Sequence, residues 1–197
     1  MNSGASGGAV VSASAPGSPT HWPAGVRWLH WLGVAMILAV AVIGLSMGGL
    51  ERGSELRRLA YLGHKSLGLA VLALALLRLA MRASTRAPAA AGAGWSHRIA
   101  QATHLLLYLL MLAVPLSGWM LNSVAGQPLV WFGLFDVPAL AERNPDWRGA
   151  VDALHLWLFW LLAALVALHV LAVALHQWVL RDGTAWRMLP GSGRSAR

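Results

Sequence analysis

Four long apolar runs constrain this chain more than any other feature of its sequence. They cover roughly residues 28–50, 59–79, 100–124 and 151–180. Each run reaches the ~20 residues that a helix needs to cross the hydrocarbon core of a bilayer. Because backbone polar groups in lipid must be satisfied within the segment itself, we expect four transmembrane helices. The sequence therefore predicts an all-α integral membrane protein, a four-helix bundle with up-down-up-down topology.

The composition agrees with a surface that faces lipid. Of the 197 residues, 57% are hydrophobic and only 11% are charged, which is too few charges for a soluble protein of this size. The net charge of +8 does not indicate a nucleic-acid partner, because the basic residues form no stripe and lie mainly between the apolar runs. Membrane lipid is an expected partner, and nucleic acid is not.

The chain divides into three segments by composition. Residues 1–25 are rich in Gly, Ala, Ser and Pro and are predicted to form a disordered cytoplasmic tail. Residues 26–182 form the four-helix transmembrane domain, and residues 183–197 a cytoplasmic C-terminal tail. Nine of the 15 basic residues lie on the side that holds both termini, and six lie on the opposite side. By the positive-inside rule, both termini are expected in the cytoplasm.

The absence of cysteine limits the chemistry of any metal centre. It excludes thiolate metal sites, iron–sulfur clusters and the covalent attachment that c-type haem requires. A metal centre in this chain must therefore use histidine, carboxylate or methionine.

Histidines inside the predicted bundle are the main chemical signal, because ionisable groups in a membrane span are costly and usually functional. His155 and His169 lie fourteen residues apart on the fourth run, which places them about 21 Å apart on nearly the same helix face. His30 begins a helix that starts inside, and His64 begins one that starts outside. The cytoplasmic depth then holds His30 and His169. The outer depth holds His64 and His155.

Two imidazoles at each depth fit haem better than zinc. Zinc needs a tetrahedral set of ligands, whereas each depth offers two histidines on different helices without a neighbouring carboxylate or thiolate. Two facing imidazoles suit the axial positions of a haem iron. We therefore expect two haems b, with no open coordination position and hence with electron transfer as the function. No separate catalytic side chain is expected.

Small residues near these histidines could admit a macrocycle. Gly33 and Gly44 share the face of His30, and Gly68 lies one turn beyond His64. Close helix packing explains these glycines equally well, as the pair Gly44 and Gly48 illustrates.

Four further residues are candidates for contacts around the haems. Arg78 and Arg27 are candidate partners of the haem propionates, and both also suit simple membrane flanks. His104 is a candidate for a propionate contact, a proton relay or a quinone pocket. His176, seven residues after His169, is the main rival as the inner ligand.

The connection from residue 126 to 150 is the longest predicted on the outer side. It carries Trp131, Phe132 and Phe135, which suit either an interfacial loop or a cover over a substrate site.

The histidine motifs resemble those of the prokaryotic cytochrome b-561 family, which also includes the b-type subunit of nickel–iron hydrogenases. The matching stretches are RWLHWLGV, LGHKSLGLAVLALALLRLAMR, THLLLYLLMLAVPLSGWM and LHLWLFWLLAALVALHVLAVALHQWVLRDGTAWRMLPG. Together they extend over about residues 26–191 and contain the four histidines in order.

The resemblance implies a diheme bundle in the bacterial inner membrane. Its axial ligands to haem iron would be His30, His64, His155 and His169. It also implies quinone as one redox partner and a small periplasmic electron donor as the other. Superoxide is a candidate donor, which would make the protein a superoxide:ubiquinone oxidoreductase. Lys65 and nearby arginines would then attract the anion at the outer face.

Two alternatives remain open at this stage. The chain could be a b-type cytochrome subunit or anchor that relays electrons for a hydrogenase or dehydrogenase. It could also be a non-haem four-helix transporter of protons or metal ions. Its short length and the lack of a fifth apolar run resemble the stand-alone members more than the hydrogenase subunit.

Overall fold

The structure, a computed structural model, describes residues 21–85 and 95–189. The predicted N-terminal tail lies almost entirely outside these residues, as does the end of the predicted C-terminal tail. The four helices are α1 (Ala24–Met47), α2 (Glu55–Ser84), α3 (Trp95–Val124) and α4 (Pro145–Leu175), and α4 continues through a π-helical turn (His176–Leu180).

Two short elements complete the described chain. A two-stranded antiparallel hairpin, β1 (Val130–Trp131) and β2 (Phe135–Asp136), lies in the connection between α3 and α4. A 3₁₀ helix (Ala185–Met188) follows α4.

All four predicted spans are confirmed as helices long and apolar enough to cross a membrane. Each helix begins a few residues before its apolar run, whereas α1 ends at Met47, before the end of its predicted run. The Ser54 hydroxyl accepts a hydrogen bond from the Arg57 N–H over 3.2 Å and so begins α2 before its apolar run. The Asn144 side chain caps α4 in the same way, accepting from the Asp146 N–H over 3.1 Å. Apolar runs mark only the part of a helix in lipid, whereas polar turns with good caps continue into the headgroup region.

Neighbouring helices run antiparallel. Gly25, near the start of α1, lies beside Met81, near the end of α2. Gly33 lies beside Leu74, and Gly44, near the end of α1, lies beside His64. Gly118 of α3 likewise meets His155 of α4, and the connection through α2 and α3 joins the two pairs. Contacts between α1 and α4 are sparse. The up-down-up-down bundle is thus confirmed as two helical hairpins, α1/α2 and α3/α4, that face each other.

Only a small apolar core is enclosed by the bundle. Its buried members are Ala75, Leu110, Met111 and Leu162, while large apolar side chains such as Leu38 lie on the outside. In water such a surface would drive association, whereas acyl chains solvate it in a bilayer. The chain is a multi-pass membrane protein.

The first residues of the predicted C-terminal tail pack on the start of α1. Arg27 Nη1 donates to the Leu189 carbonyl over 2.9 Å, and Trp31 Nε1 donates to the Met188 carbonyl over 2.8 Å. These bonds bring the end of α4 and the beginning of α1 to one end of the bundle, which we call the inner end.

Candidate functional site

At the opposite, outer end, His64 of α2 faces His155 of α4. Their ring centroids lie 6.3 Å apart and the ring planes are nearly perpendicular, at 88°. Two imidazoles that bind one metal ion from opposite sides, each at about 2 Å, have centroids roughly 6 Å apart. The two rings therefore have a separation compatible with one iron between them, and each comes from a different helical hairpin.

Backbone carbonyls hold the outer rings through one nitrogen each. His64 Nδ1 lies 3.1 Å from the Val40 carbonyl, and His155 Nδ1 lies 3.1 Å from the Val114 carbonyl. The Ser117 hydroxyl lies 2.9 Å from the same His155 nitrogen. A histidine that donates through Nδ1 presents the lone pair of Nε2, as metal-binding histidines commonly do.

A glycine lies one helical turn after each of these carbonyls and lets the ring approach. A Cβ atom added to Gly44 would lie 2.7 Å from His64 Cε1, and one added to Gly118 would lie 3.1 Å from His155 Cε1. The sequence placed Gly44 near His30, but its contact is with His64. Gly118 was missed, although it stands fourteen residues after His104 and so near the same face of α3.

The two other glycines considered for a macrocycle make no comparable contact. A Cβ atom on Gly68 would meet nothing within 4 Å, and one on Gly33 would lie 3.6 Å from Leu74 Cδ2. Among the glycines in the part of the chain that the structure describes, the two closest approaches to a histidine ring are therefore at the outer pair.

At the inner end, three histidines from three helices surround one arginine. The ring of His169 contacts His104, with centroids 5.5 Å apart, and the ring of His30 contacts Trp31. His30 lies within electrostatic range of Arg78, His169 and His104. The structure thus brings His30 and His169 to the same end, while their pairing across one iron stays a prediction.

Arg78 and His30 retain unused polar atoms at this inner end. Arg78 packs against the Tyr108 ring, with its guanidinium carbon 5.5 Å from the ring centroid. Its Nε atom and His30 Nδ1 are buried and have no hydrogen-bond partner within residues 21–85 and 95–189. A buried guanidinium needs compensating charge, so Arg78 fits a carboxylate of a haem.

The two remaining candidates near the inner end have other partners. His176 Nδ1 lies 2.5 Å from Asp182 Oδ2, which turns this histidine toward the segment after α4. Arg27 bonds the Leu189 carbonyl.

A cavity of about 420 Å³ opens beside the outer histidines. Both His64 and His155 line it, together with Lys65, Arg148 and Asp152. It adjoins a wider basin of about 760 Å³ whose charged lining side chains are Arg57, Arg58, Lys65 and Arg148. The approach to the outer pair is therefore predominantly cationic.

Comparison with known proteins identifies the family. Residues 21–191 match the prokaryotic cytochrome b561 family. The chain is 32% identical over 165 residues to cytochrome b561 homolog 2 of Escherichia coli strain K12. The aligned region covers 81% of this chain and 86% of that protein. It is 29% identical over 164 residues to the probable superoxide oxidase CybB of Yersinia pestis. That alignment covers 82% of this chain and 92% of that protein.

The family predicted from the histidine motifs is confirmed by these matches. Family membership carries haem b binding and a role in electron transfer at a membrane. The chain belongs to the prokaryotic cytochrome b561 family of membrane b-type cytochromes.

Proposed function

We propose that this protein binds two haems b and carries electrons across the bacterial inner membrane from a small periplasmic donor to quinone. The outer haem would be held by His64 and His155, and the inner haem by His30 and His169. The observation that carries the proposal is the outer pair, with rings 6.3 Å apart and each Nδ1 engaged by a carbonyl.

A bis-histidine haem supplies a one-electron carrier without an open coordination position. The residues of the chain then determine position and charge. Val40 and Val114 orient the outer imidazoles through their carbonyls, and Arg78 offers its unused Nε to a propionate at the inner end. Arg27 and His104 are further candidates for contact with a propionate or with quinone.

Superoxide is the donor that the charge of the outer basin favours. The relative from Yersinia pestis is named a probable superoxide oxidase, and the cations that line the basin would attract an anion. Each superoxide would give up one electron and leave as oxygen. Two such electrons, with two protons taken from the cytoplasm, would reduce one quinone to quinol.

More basic residues lie on the side that holds both termini than on the opposite side. This excess supports an orientation with both termini in the cytoplasm. His64 and His155 would then lie at the periplasmic end, where the donor enters, and Arg78 at the cytoplasmic end.

The test is a reduced-minus-oxidised spectrum with haem quantification on purified protein and on single His→Ala variants at positions 30, 64, 155 and 169. We expect two haems per chain in the wild type. The His64→Ala and His155→Ala variants should lose the same haem, and the other two variants should lose the second one. His97→Ala serves as a control that retains both.

A single haem per chain, or loss of the outer haem in the His30→Ala variant, would contradict the proposed pairing. Retention of the inner haem in His30→Ala, with its loss in His104→Ala, would instead assign His104 as the partner of His169. Copurification of a large redox protein would favour the subunit alternative.

A further inference from the structure

Three polar residues form a bridge from α3 to α2 at the mouth of the outer cavity. The side chain of buried Asn122 donates from Nδ2 to the backbone carbonyl of Gln127 over 2.7 Å. The backbone carbonyl of Asn122 accepts a hydrogen bond from the backbone N–H of Gln127 over 3.2 Å. Gln127 Oε1 accepts in turn from Lys65 Nζ over 3.0 Å. Lys65 follows His64 directly in α2. Lys65 and Gln127 both line the cavity and the basin.

The backbone of Gln127 is held from both sides although its side chain is exposed. On one side its N–H and carbonyl bond Asn122. On the other side, the strand that follows is anchored to α2, because Trp131 Nε1 donates to the Ser66 carbonyl over 3.2 Å. A side chain on a fixed backbone loses less conformational entropy when it binds a partner, so Gln127 presents a preorganised acceptor to the lysine.

An uncharged acceptor restrains an ammonium group without cancelling its charge. A carboxylate at the same place would form an ion pair and reduce the local positive field. Without any acceptor, the long flexible stem of Lys65 would let the amine move into solvent or toward Asp152, which lines the same cavity. An amide at position 127 keeps the charge close to the outer histidines.

We propose that Gln127, fixed by Asn122, is a positioning residue that holds the Lys65 ammonium at the mouth of the outer cavity and so directs an anionic donor to the outer haem. The inference rests on the proposed entry of electrons at this cavity. It adds a residue that acts through Lys65 rather than on the donor itself.

The experiment compares reductants of opposite charge on the purified holoprotein. Superoxide and dithionite serve as anionic probes, and hexaammineruthenium(II) as a cationic probe. Stopped-flow rates of haem reduction are measured for the wild type, Gln127→Leu, Gln127→Glu, Lys65→Met and the double variant Lys65→Met with Gln127→Leu. Gln101→Leu, the same chemical change at the inner end of α3, is the matched control, and haem content and spectra are recorded for every variant.

We expect Gln127→Leu to slow both anionic probes by about two- to fivefold, a fraction of the effect that a whole charged cleft can have. Gln127→Glu should slow them further and accelerate the ruthenium complex. Gln101→Leu should leave every rate unchanged. In the Lys65→Met background, Gln127→Leu should have no additional effect, because it acts through the ammonium group.

Wild-type rates for the anionic probes in Gln127→Leu, or equal slowing of anionic and cationic probes, would overturn the positioning role. If superoxide fails to reduce even the wild type while dithionite follows the expected series, the proposed donor is wrong and the role of Gln127 stands. Gln127→Glu keeps the size and shape of the residue and changes only its charge, so the charge-dependent result does not depend on the tolerance for leucine.

Discussion

His64 and His155 each lie against a glycine of the adjacent helix and bond the carbonyl of the residue four positions before that glycine. A side chain at the glycine position would hold the imidazole away from the helix backbone, so the glycine and the carbonyl act together. The hydrogen bond at Nδ1 then selects the tautomer that leaves Nε2 for a metal. The outer ligands are thus oriented by backbone atoms, which side-chain substitutions elsewhere cannot easily displace.

Gly44→Ala should therefore impair the outer haem site. The added Cβ would lie 2.7 Å from His64 Cε1, and relief of such overpacking typically costs about 1–3 kcal/mol. Gly118→Ala, with its closest contact at 3.1 Å, should have a weaker effect. Haem content per chain and the unfolding midpoint in detergent measure both. Gly48→Ala, at the residue that follows α1 and where nothing lies within 4 Å, is the control, and equal haem content in Gly44→Ala and Gly48→Ala would contradict the expectation.

Asp182, beyond the end of α4, should contribute to stability in a pH-dependent way. Hydrogen bonds from Thr184 and His176 lower the pKa of Asp182 from 3.8 to about 2. A carboxyl with a depressed pKa in the folded state stabilises the fold above its unfolded pKa and loses that contribution as the pH falls through the folded value. The difference in unfolding midpoint between the wild type and Asp182→Asn should shrink as the pH falls below about 4 and be largely lost by about pH 2. A difference that grows on acidification would have the wrong sign.

At the scale of elements, the connection between α3 and α4 is attached to the bundle at both of its ends. The fully buried Ser66 hydroxyl accepts from the Phe132 N–H over 2.8 Å, at a residue with a φ of 48° that an L side chain rarely adopts. Farther along, the Ser123 hydroxyl accepts from the Leu140 N–H over 3.0 Å, and Trp119 Nε1 donates to the Pro138 carbonyl. This connection is therefore held in place by hydrogen bonds, and its first residues border the outer cavity.

Ser66→Ala should loosen the attachment of the β1/β2 hairpin to α2. It leaves the Phe132 N–H without its acceptor at a strained backbone position, at a cost of about 1–3 kcal/mol. Hydrogen–deuterium exchange of peptides that span residues 128–136 should accelerate, while peptides around Leu140 stay protected. Ser123→Ala should give the reverse pattern. Ser46→Ala is the control, because that hydroxyl bonds only carbonyls of its own helix, and unchanged exchange in Ser66→Ala would show that the hydroxyl is not the anchor.

At the scale of the whole molecule, the two helical hairpins form two halves with the histidine clusters between them. His64 and His30 belong to α1/α2, and His155 and His169 belong to α3/α4. Because contacts between α1 and α4 are sparse, the halves meet mainly along α2 and α3. A ligand bound by both halves would add contacts that the helices alone do not make, and we expect such binding to stabilise the folded state by mass action.

The orientation of the whole bundle in the membrane gives a separate prediction. Nine basic residues lie on the side that holds both termini and six on the opposite side, which favours a cytoplasmic C-terminus. A fluorescent protein that fluoresces only in the cytoplasm should therefore be fluorescent when it is fused after Arg197. Alkaline phosphatase inserted after Ala139 should be active, as it is only in the periplasm. An insertion at Gly53, in the other outer connection, should report the same side as Ala139. Phosphatase activity of a fusion after Arg197 would reverse the assignment.

Hydropathy and helical period along the chain were enough to predict the number of spans, their antiparallel order and the two depths at which histidines lie. Both rules behind these inferences are local, since the length of an apolar run sets a span and a helical period of 3.6 residues sets a face. The outer encounter of His64 with His155 followed from them, and the structure brings the two rings together.

The backbone that each ring lies against is set by the packing of one helix on another. Gly44 meets His64 rather than His30, Gly118 meets His155, and Gln127 holds Lys65. These contacts depend on how far each helix is rotated and shifted against its neighbour, which is set by the packing of small residues across helices. No periodicity within one helix carries that information, because rotation about the helix axis leaves its own pattern unchanged.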